Sequence, residues 1–242
     1  MIALPLMLAG CQNSGKVSEP EDLSADSVDM VADTDNFTVA YRQPVNGYQV
    51  KAVVKMDEGE ILYADITFAK DEKSFILHTT SFGDSAFNKG GWGLDGTNYE
   101  LMNKYKGKTV EADYQENRED GEVMSDNTPF FFRDLDFDGV EELVIVHYAV
   151  AVRNHSGYDV YRMVDGVPML IDYPPYKTND DFGMTDYPEF DYQQKTISCP
   201  YPEGELKYKG YKRYGISKQE KDTVVVNGRE YYYNHIELKD TI

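Results

Sequence analysis

Apolar and polar positions alternate along most of this chain in short runs broken by Gly, Asp, Asn and Lys, the pattern of half-buried strands. Residues 48–56 (YQVKAVVKM), 61–70 (ILYADITFAK) and 73–82 (KSFILHTTSF) are three such runs, joined by the acidic turns DEGE and KDEK. They predict an antiparallel meander. The run ELVIVHYAVAV, starting at Glu142, is apolar without alternation. That is the pattern of a central strand covered on both faces. Two hairpins are marked by turn dipeptides: Asp165-Gly166 inside 158–171 and Asn227-Gly228 inside 222–238. A strand with tyrosines spaced for one face is expected over ELKYKGYKRYGIS, residues 205–217.

One helical signal interrupts the strands. Thr97, with Glu100 three residues on, makes a capping box ahead of NYELMNKY and predicts a short helix. The glycine-rich stretch before it, GDSAFNKGGWGLDG, reads as irregular and carries the lone indole, Trp92. Nine or ten strands (roughly) with one short helix predict a mainly β fold. The expected architecture is an antiparallel β sandwich or a curled open sheet with a calcium loop.

Composition sharpens this picture. Of 242 residues 41% are hydrophobic, enough for a sizeable core, and twenty tyrosines against one tryptophan favour strands. Charge is lopsided, with 24 Lys+Arg against 43 Asp+Glu and a net −19 at pH 7. Such a field repels phosphate backbones, so no nucleic-acid partner is expected; cations and basic proteins suit it.

The N-terminal residues point to an envelope address. MIALPLMLAGC is an apolar run ending in Leu8-Ala9-Gly10-Cys11. It resembles a bacterial lipobox, which implies signal cleavage and lipidation of Cys11. No basic residue precedes Cys11, so the true start is expected upstream of Met1. The run is shorter than the ~20 residues that span a bilayer, so the membrane is reached through acyl chains alone. Residues 12–36 carry seven acids, one lysine and few large apolar groups, and read as a disordered tether. The expected organisation is a signal segment 1–11, a tether 12–36 and a single β domain 37–242. Localisation follows as the bacterial cell envelope, periplasmic or on the outer face of the outer membrane. Only Cys11 and Cys199 occur, so a lipidated Cys11 leaves no intrachain disulfide. Cys199 reads as a small buried hydrophobe.

Candidate chemistry concentrates in RDLDFDGVEE, residues 133–142, where five of ten positions are acidic. Asp134, Asp136 and Asp138 would repel one another on one strand face, whereas Gly139 permits a turn that aims them inward. Oxygen ligands in that number suit Ca²⁺, which takes 6–8 oxygens at flexible geometry, better than Mg²⁺. Val140 through its carbonyl and Glu142 through its carboxylate complete the expected ligand set. An EF-hand is excluded, because its twelfth position would be Ile145 inside the apolar run. With its last acid at the ninth position, D-x-D-x-D-G-x-x-E resembles the calcium loops of FG-GAP and integrin-type β repeats. A wider stretch adds the strand with YDVYRMVDG and the turn PEFDYQQKTI, with Phe190, Asp191, Lys195 and Ile197. Together these resemble exported bacterial proteins, some of them similar to periplasmic lysozyme inhibitors that act as immunity proteins. The resemblance implies a non-enzymatic, calcium-stabilised β module whose partner is a basic peptidoglycan hydrolase.

An enzyme is not expected. His78, His147, His155 and His235 form no HExxH, and neither a GxSxG elbow nor a GxxxxGK[ST] loop is present. Two deeply buried carboxylates facing a cleft elsewhere would change that reading. The tyrosines of 173–176, 208–214 and 231–233 leave surface glycan binding as an alternative.

Overall fold

The structure is a computed structural model that describes residues 36–57, 61–83, 92–116, 129–148, 156–176, 188–202 and 208–242. The expected signal segment with Cys11, the tether up to residue 35, and His155 lie outside the described residues. Residues Ala32–Ile242 form one compact unit.

Three sheets build the fold among the described residues. The first carries β1 (Asn36–Tyr41), β2 (Gln49–Asp57), β3 (Ile61–Lys70), β4 (Lys73–Gly83) and β5 (Thr109–Ala112), in the order β4-β3-β2-β1-β5. Its β2-β3-β4 part is the expected meander, while β5 adds in parallel to β1. Helix α1 (Asn98–Tyr105) precedes β5 and begins with both halves of the Thr97–Glu100 capping box in place. The central sheet is β6 (Phe130–Arg133), β7 (Glu142–Tyr148), β8 (Ser156–Val164) and β9 (Val167–Leu170), all antiparallel. The third, also antiparallel, is β10 (Glu189–Asp191), β11 (Thr196–Pro202), β12 (Tyr208–Val226) and β13 (Arg229–Thr241). The fold is mainly β, as the alternation predicts.

The central sheet faces two cores. Phe130, Phe132, Leu143 and Ile145 join the core beneath the first sheet, with Phe37, Ile66, Phe68, Trp92 and Leu101. Their chain neighbours Phe131, Val144 and Val146 join the other, with Tyr158, Tyr176, Ile197, Cys199, Tyr214 and Ile236. An apolar residue at every position of β7 after Glu142, up to Val146, therefore reflects a strand covered on both sides. Burying each of these side chains contributes about 2–3 kcal/mol.

Two departures from the sequence expectation have physical reasons. Residues 205–217 and 222–226 were expected as separate strands, yet β12 runs through both. The break is absorbed by a register shift against β13 between Ile216 and Lys221, so the strand bends without ending. Beyond that bend β12 pairs with β13 alone, making a two-stranded ribbon over 221–234. Strands β1, β5, β6, β10 and β11 are extra to those expected from the sequence; each is seven residues or shorter, too short for alternation to stand out.

Candidate metal centre

The acidic loop lies between β6 and β7, at the edge of the strand pair Arg133↔Glu142. Two residues turn it: Phe137 at φ 63° and Gly139 at φ 92°, both left-handed. The glycine is expected there; a phenylalanine in that region is costly and must be held by its surroundings. It is buried in the second core and meets Tyr192 edge-on at 5.7 Å.

The turn brings Asp134, Asp136 and Asp138 together, with one carboxylate oxygen from each within 4.8 Å of the others. That span matches two bonds of the ~2.4 Å that a hard cation makes to oxygen. A cluster of three aspartates in this geometry can bind a metal ion. Asp136 is fully buried, Asp134 half-buried and Asp138 exposed, so the group opens to solvent on one side. Backbone donors orient the carboxylates. Asp138 N–H donates to Asp134 Oδ1 and Asp136 Oδ1, each at 3.1 Å, and Gly139 N–H donates to Asp134 Oδ2 at 3.0 Å. Val140 contributes its N–H, 2.7 Å from Asp138 Oδ1, and its side chain is exposed. Glu142 stands apart from the trio: it is buried, and its Oε2 accepts from Leu135 N–H at 2.7 Å, tying the loop's two ends.

Negative charge here is poorly compensated. Burial, and then the charge on Asp138, push the Asp136 carboxyl up to about 7 despite Arg162 nearby. Burial and Asp136 likewise hold Glu142 well above the usual carboxylate range. A proton or a bound cation relieves such a charge at neutral pH.

Later parts of the chain hold the loop's backbone. Tyr176 OH donates to the Leu135 carbonyl at 2.8 Å, Asn234 Nδ2 to that of Asp136 at 2.9 Å, and Lys195 Nζ to that of Phe137 at 3.2 Å. Three consecutive carbonyls are thus taken by three separate elements. Lys195, in the β10–β11 turn, and Ile197, in β11, belong to the segment that the sequence resemblance singled out. In that turn Asp191 Oδ1 accepts from Gln193 N–H and Gln194 N–H, and Phe190 stacks on Tyr192 at 6.3 Å. The acidic loop and that turn are in contact, although some fifty residues separate them (Lys195 and Phe137 are 58 apart). Sequence reading gave Arg162, Tyr176 and Asn234 no role at this loop, although Arg162 lies in YDVYRMVDG and Tyr176 among the tyrosines of 173–176.

Other candidates are placed more plainly. His78 lies beside Asp65 at 3.0 Å on the exposed face of the first sheet, His147 beside Asp159 at 3.0 Å, and His235 beside Asp222 at 2.7 Å. Cys199 is buried, and its thiol is pushed up to about 12 by burial. Among the described residues the exposed tyrosines are spread over α1 (Tyr99), the β10–β11 turn (Tyr192), β12 (Tyr211) and β13 (Tyr232). Tyr231 instead donates to Asp165, and Tyr233 lies under the Arg162 guanidinium at 4.7 Å. The outer side of the acidic loop, Gly139 to Glu141, lines one wall of a cleft of 960 Å³ whose other walls include Tyr48, Lys70–Lys73 and Asp165.

No helix among the described residues is long and apolar enough to cross a membrane. No protein-family model matches the chain, and no curated protein matches it. Among solved structures it is similar to one titled "Structure of a Xanthomonas Type IV Secretion System related protein". That likeness has 10% identity and a TM-score of 0.31 over 81% of this chain and 92% of the other, too slight to carry an argument.

Proposed function

We propose that this protein is a calcium-binding, non-enzymatic binding module of the bacterial cell envelope, held there by acyl chains on Cys11. Asp134, Asp136 and Asp138 supply the carboxylates, Val140 its carbonyl, and Glu142 closes the loop behind them. The observation that carries the reading is the convergence of three carboxylates within 4.8 Å around the fully buried Asp136. An all-oxygen set with an open side suits Ca²⁺, which tolerates irregular geometry and completes its shell with water; Mg²⁺ demands a near-ideal octahedron. The test is calorimetric titration of the chelated protein with Ca²⁺ and with Mg²⁺. One Ca²⁺ site that is lost in Asp136→Ala is expected, and an absence of heat with either ion would discard the reading.

A second reading, an inhibitor or immunity protein against a basic peptidoglycan hydrolase, draws on the cleft beside the loop. Its lysines are engaged: Lys70 lies over the Tyr48 ring at 5.2 Å, and Lys73 donates to the Asp165 carbonyl. Asp71, Glu72 and Glu141 remain to present negative charge to a basic partner. The check is whether stoichiometric protein slows cell-wall lysis by a lysozyme-like enzyme encoded beside it. Unchanged lysis with every such enzyme would remove this reading and leave the calcium site standing.

A further inference from the structure

Arg162 on β8 stands between two carboxylates from different parts of the chain. It is almost wholly buried, and one of its terminal nitrogens reaches both carboxylates. That nitrogen lies 2.7 Å from Asp222 Oδ2, 3.1 Å from the Asn234 carbonyl, 3.3 Å from the Tyr173 hydroxyl and 3.4 Å from Asp136 Oδ2. A guanidinium terminal nitrogen has only two hydrogens, so these acceptors compete. Meanwhile Arg162 Nε is buried with no partner among the described residues. The group is crowded on one side and idle on the other, which suits a side chain shared between two sets of partners.

The two sets differ in origin. Asp136 belongs to the acidic loop, whereas Asp222, Asn234 and the Tyr233 ring belong to the ribbon formed by β12 and β13. Asp222 is itself fixed by Tyr173 OH at 2.5 Å and His235 Nδ1 at 2.7 Å, so it is a stationary acceptor. Resting on the cation reading given above, we propose that Arg162 couples filling of the acidic loop to docking of the ribbon. A divalent cation at Asp136 neutralises the carboxylate that draws the guanidinium towards the loop and repels the guanidinium besides. Both effects release Arg162 from its 3.4 Å contact with Asp136, strengthen its hold on Asp222 and the Asn234 carbonyl, and tighten the ribbon. By linkage, the ribbon's hold on Arg162 raises cation affinity in equal measure. Arg162 is a positioning residue here and does not touch the cation.

Hydrogen exchange on the full chain tests this, with calorimetry in parallel and Ca²⁺ alone as the probe. Ca²⁺ is expected to slow amides of residues 221–234 by about 5–10-fold more than it slows those of β2 and β3, the lower range of allosteric couplings. The selective part should vanish in Arg162→Met. The milder Asp222→Asn, which keeps side-chain size, should weaken Ca²⁺ binding by about 5–10-fold, because Arg162 then competes fully for Asp136. Ca²⁺ bound with uniform slowing everywhere, or unaltered affinity in Asp222→Asn, would overturn the coupling while sparing the cation site. No Ca²⁺ bound would overturn both.

Discussion

Competition between protons and a cation at Asp136 makes the strongest quantitative prediction. Without a cation, the native state holds a proton on Asp136 up to about pH 7, whereas the unfolded chain releases it near 3.8. Between those values the folded state binds more protons, so stability falls as pH rises through the window. For a shift of about 3 units at ~1.4 kcal/mol each, the loss is at most about 4 kcal/mol. A cation reverses the trend, because it needs the ionised carboxylate. Taking a Kd of about 10 µM for the deprotonated site, within the range of calcium sensors, about 1 mM Ca²⁺ at pH 8 adds about 2.7 kcal/mol. At about pH 5 a group with a pKa near 7 is ionised in only ~1% of molecules, so the same Ca²⁺ adds about 0.4 kcal/mol. Urea melts at both pH values, in chelator and in Ca²⁺, measure the four stabilities. A calcium increment at pH 5 equal to that at pH 8 would refute the burial of charge argued here.

Three smaller perturbations probe the loop and its surroundings. Gly139→Ala meets no atom within 4 Å, so its cost is conformational alone, from φ 92°. About 1–2 kcal/mol should be lost, with weaker calcium binding, and urea denaturation would reveal an unaltered midpoint if the turn were relaxed. Tyr176→Phe leaves the Leu135 carbonyl buried without its donor; a loss of about 1–3 kcal/mol is expected from the same measurement. In a Cys11→Ser background, Cys199 should resist a thiol reagent at pH 8 and react once urea unfolds the chain, since burial keeps its thiol protonated. Rapid native labelling would contradict that placement.

The strands legible in the sequence were those whose own chemistry announced them. The meander over 49–83 has alternation and tight turns, both hairpins have Asp-Gly or Asn-Gly, and α1 has its capping box. The unbroken apolar run after Glu142 gave away a doubly covered strand, because no polar position is tolerated where two cores meet. The parallel pairing of β5 with β1 was not legible, since it depends on a contact across roughly seventy residues rather than on any local pattern. At the site, the spacing of Asp134, Asp136 and Asp138 and the glycine after them carried enough information to foresee their convergence. The division of labour within the loop did not show: only the folded backbone sends Glu142 to Leu135 N–H and leaves Asp136 as the buried member. Arg162 escaped notice because its partners lie 11 to 72 residues away, and a lone arginine in a strand carries no signal of them.

A strand that is greasy on both sides has an ambiguity that ordinary half-wet strands lack. Sliding β7 by one residue would exchange Leu143 and Ile145 for Val144 and Val146 in the two cores, and would bring a single polar side chain, Glu142 or His147, into a buried position. One side chain at the end of the run is all that solubility preferences have to police that error. Alignment must be dictated from the strand's end, and the Glu142 carboxylate clasping Leu135 N–H is placed to do so. The acidic loop then serves as a ruler for the whole molecule, setting which methyl groups fall on which side of its middle layer.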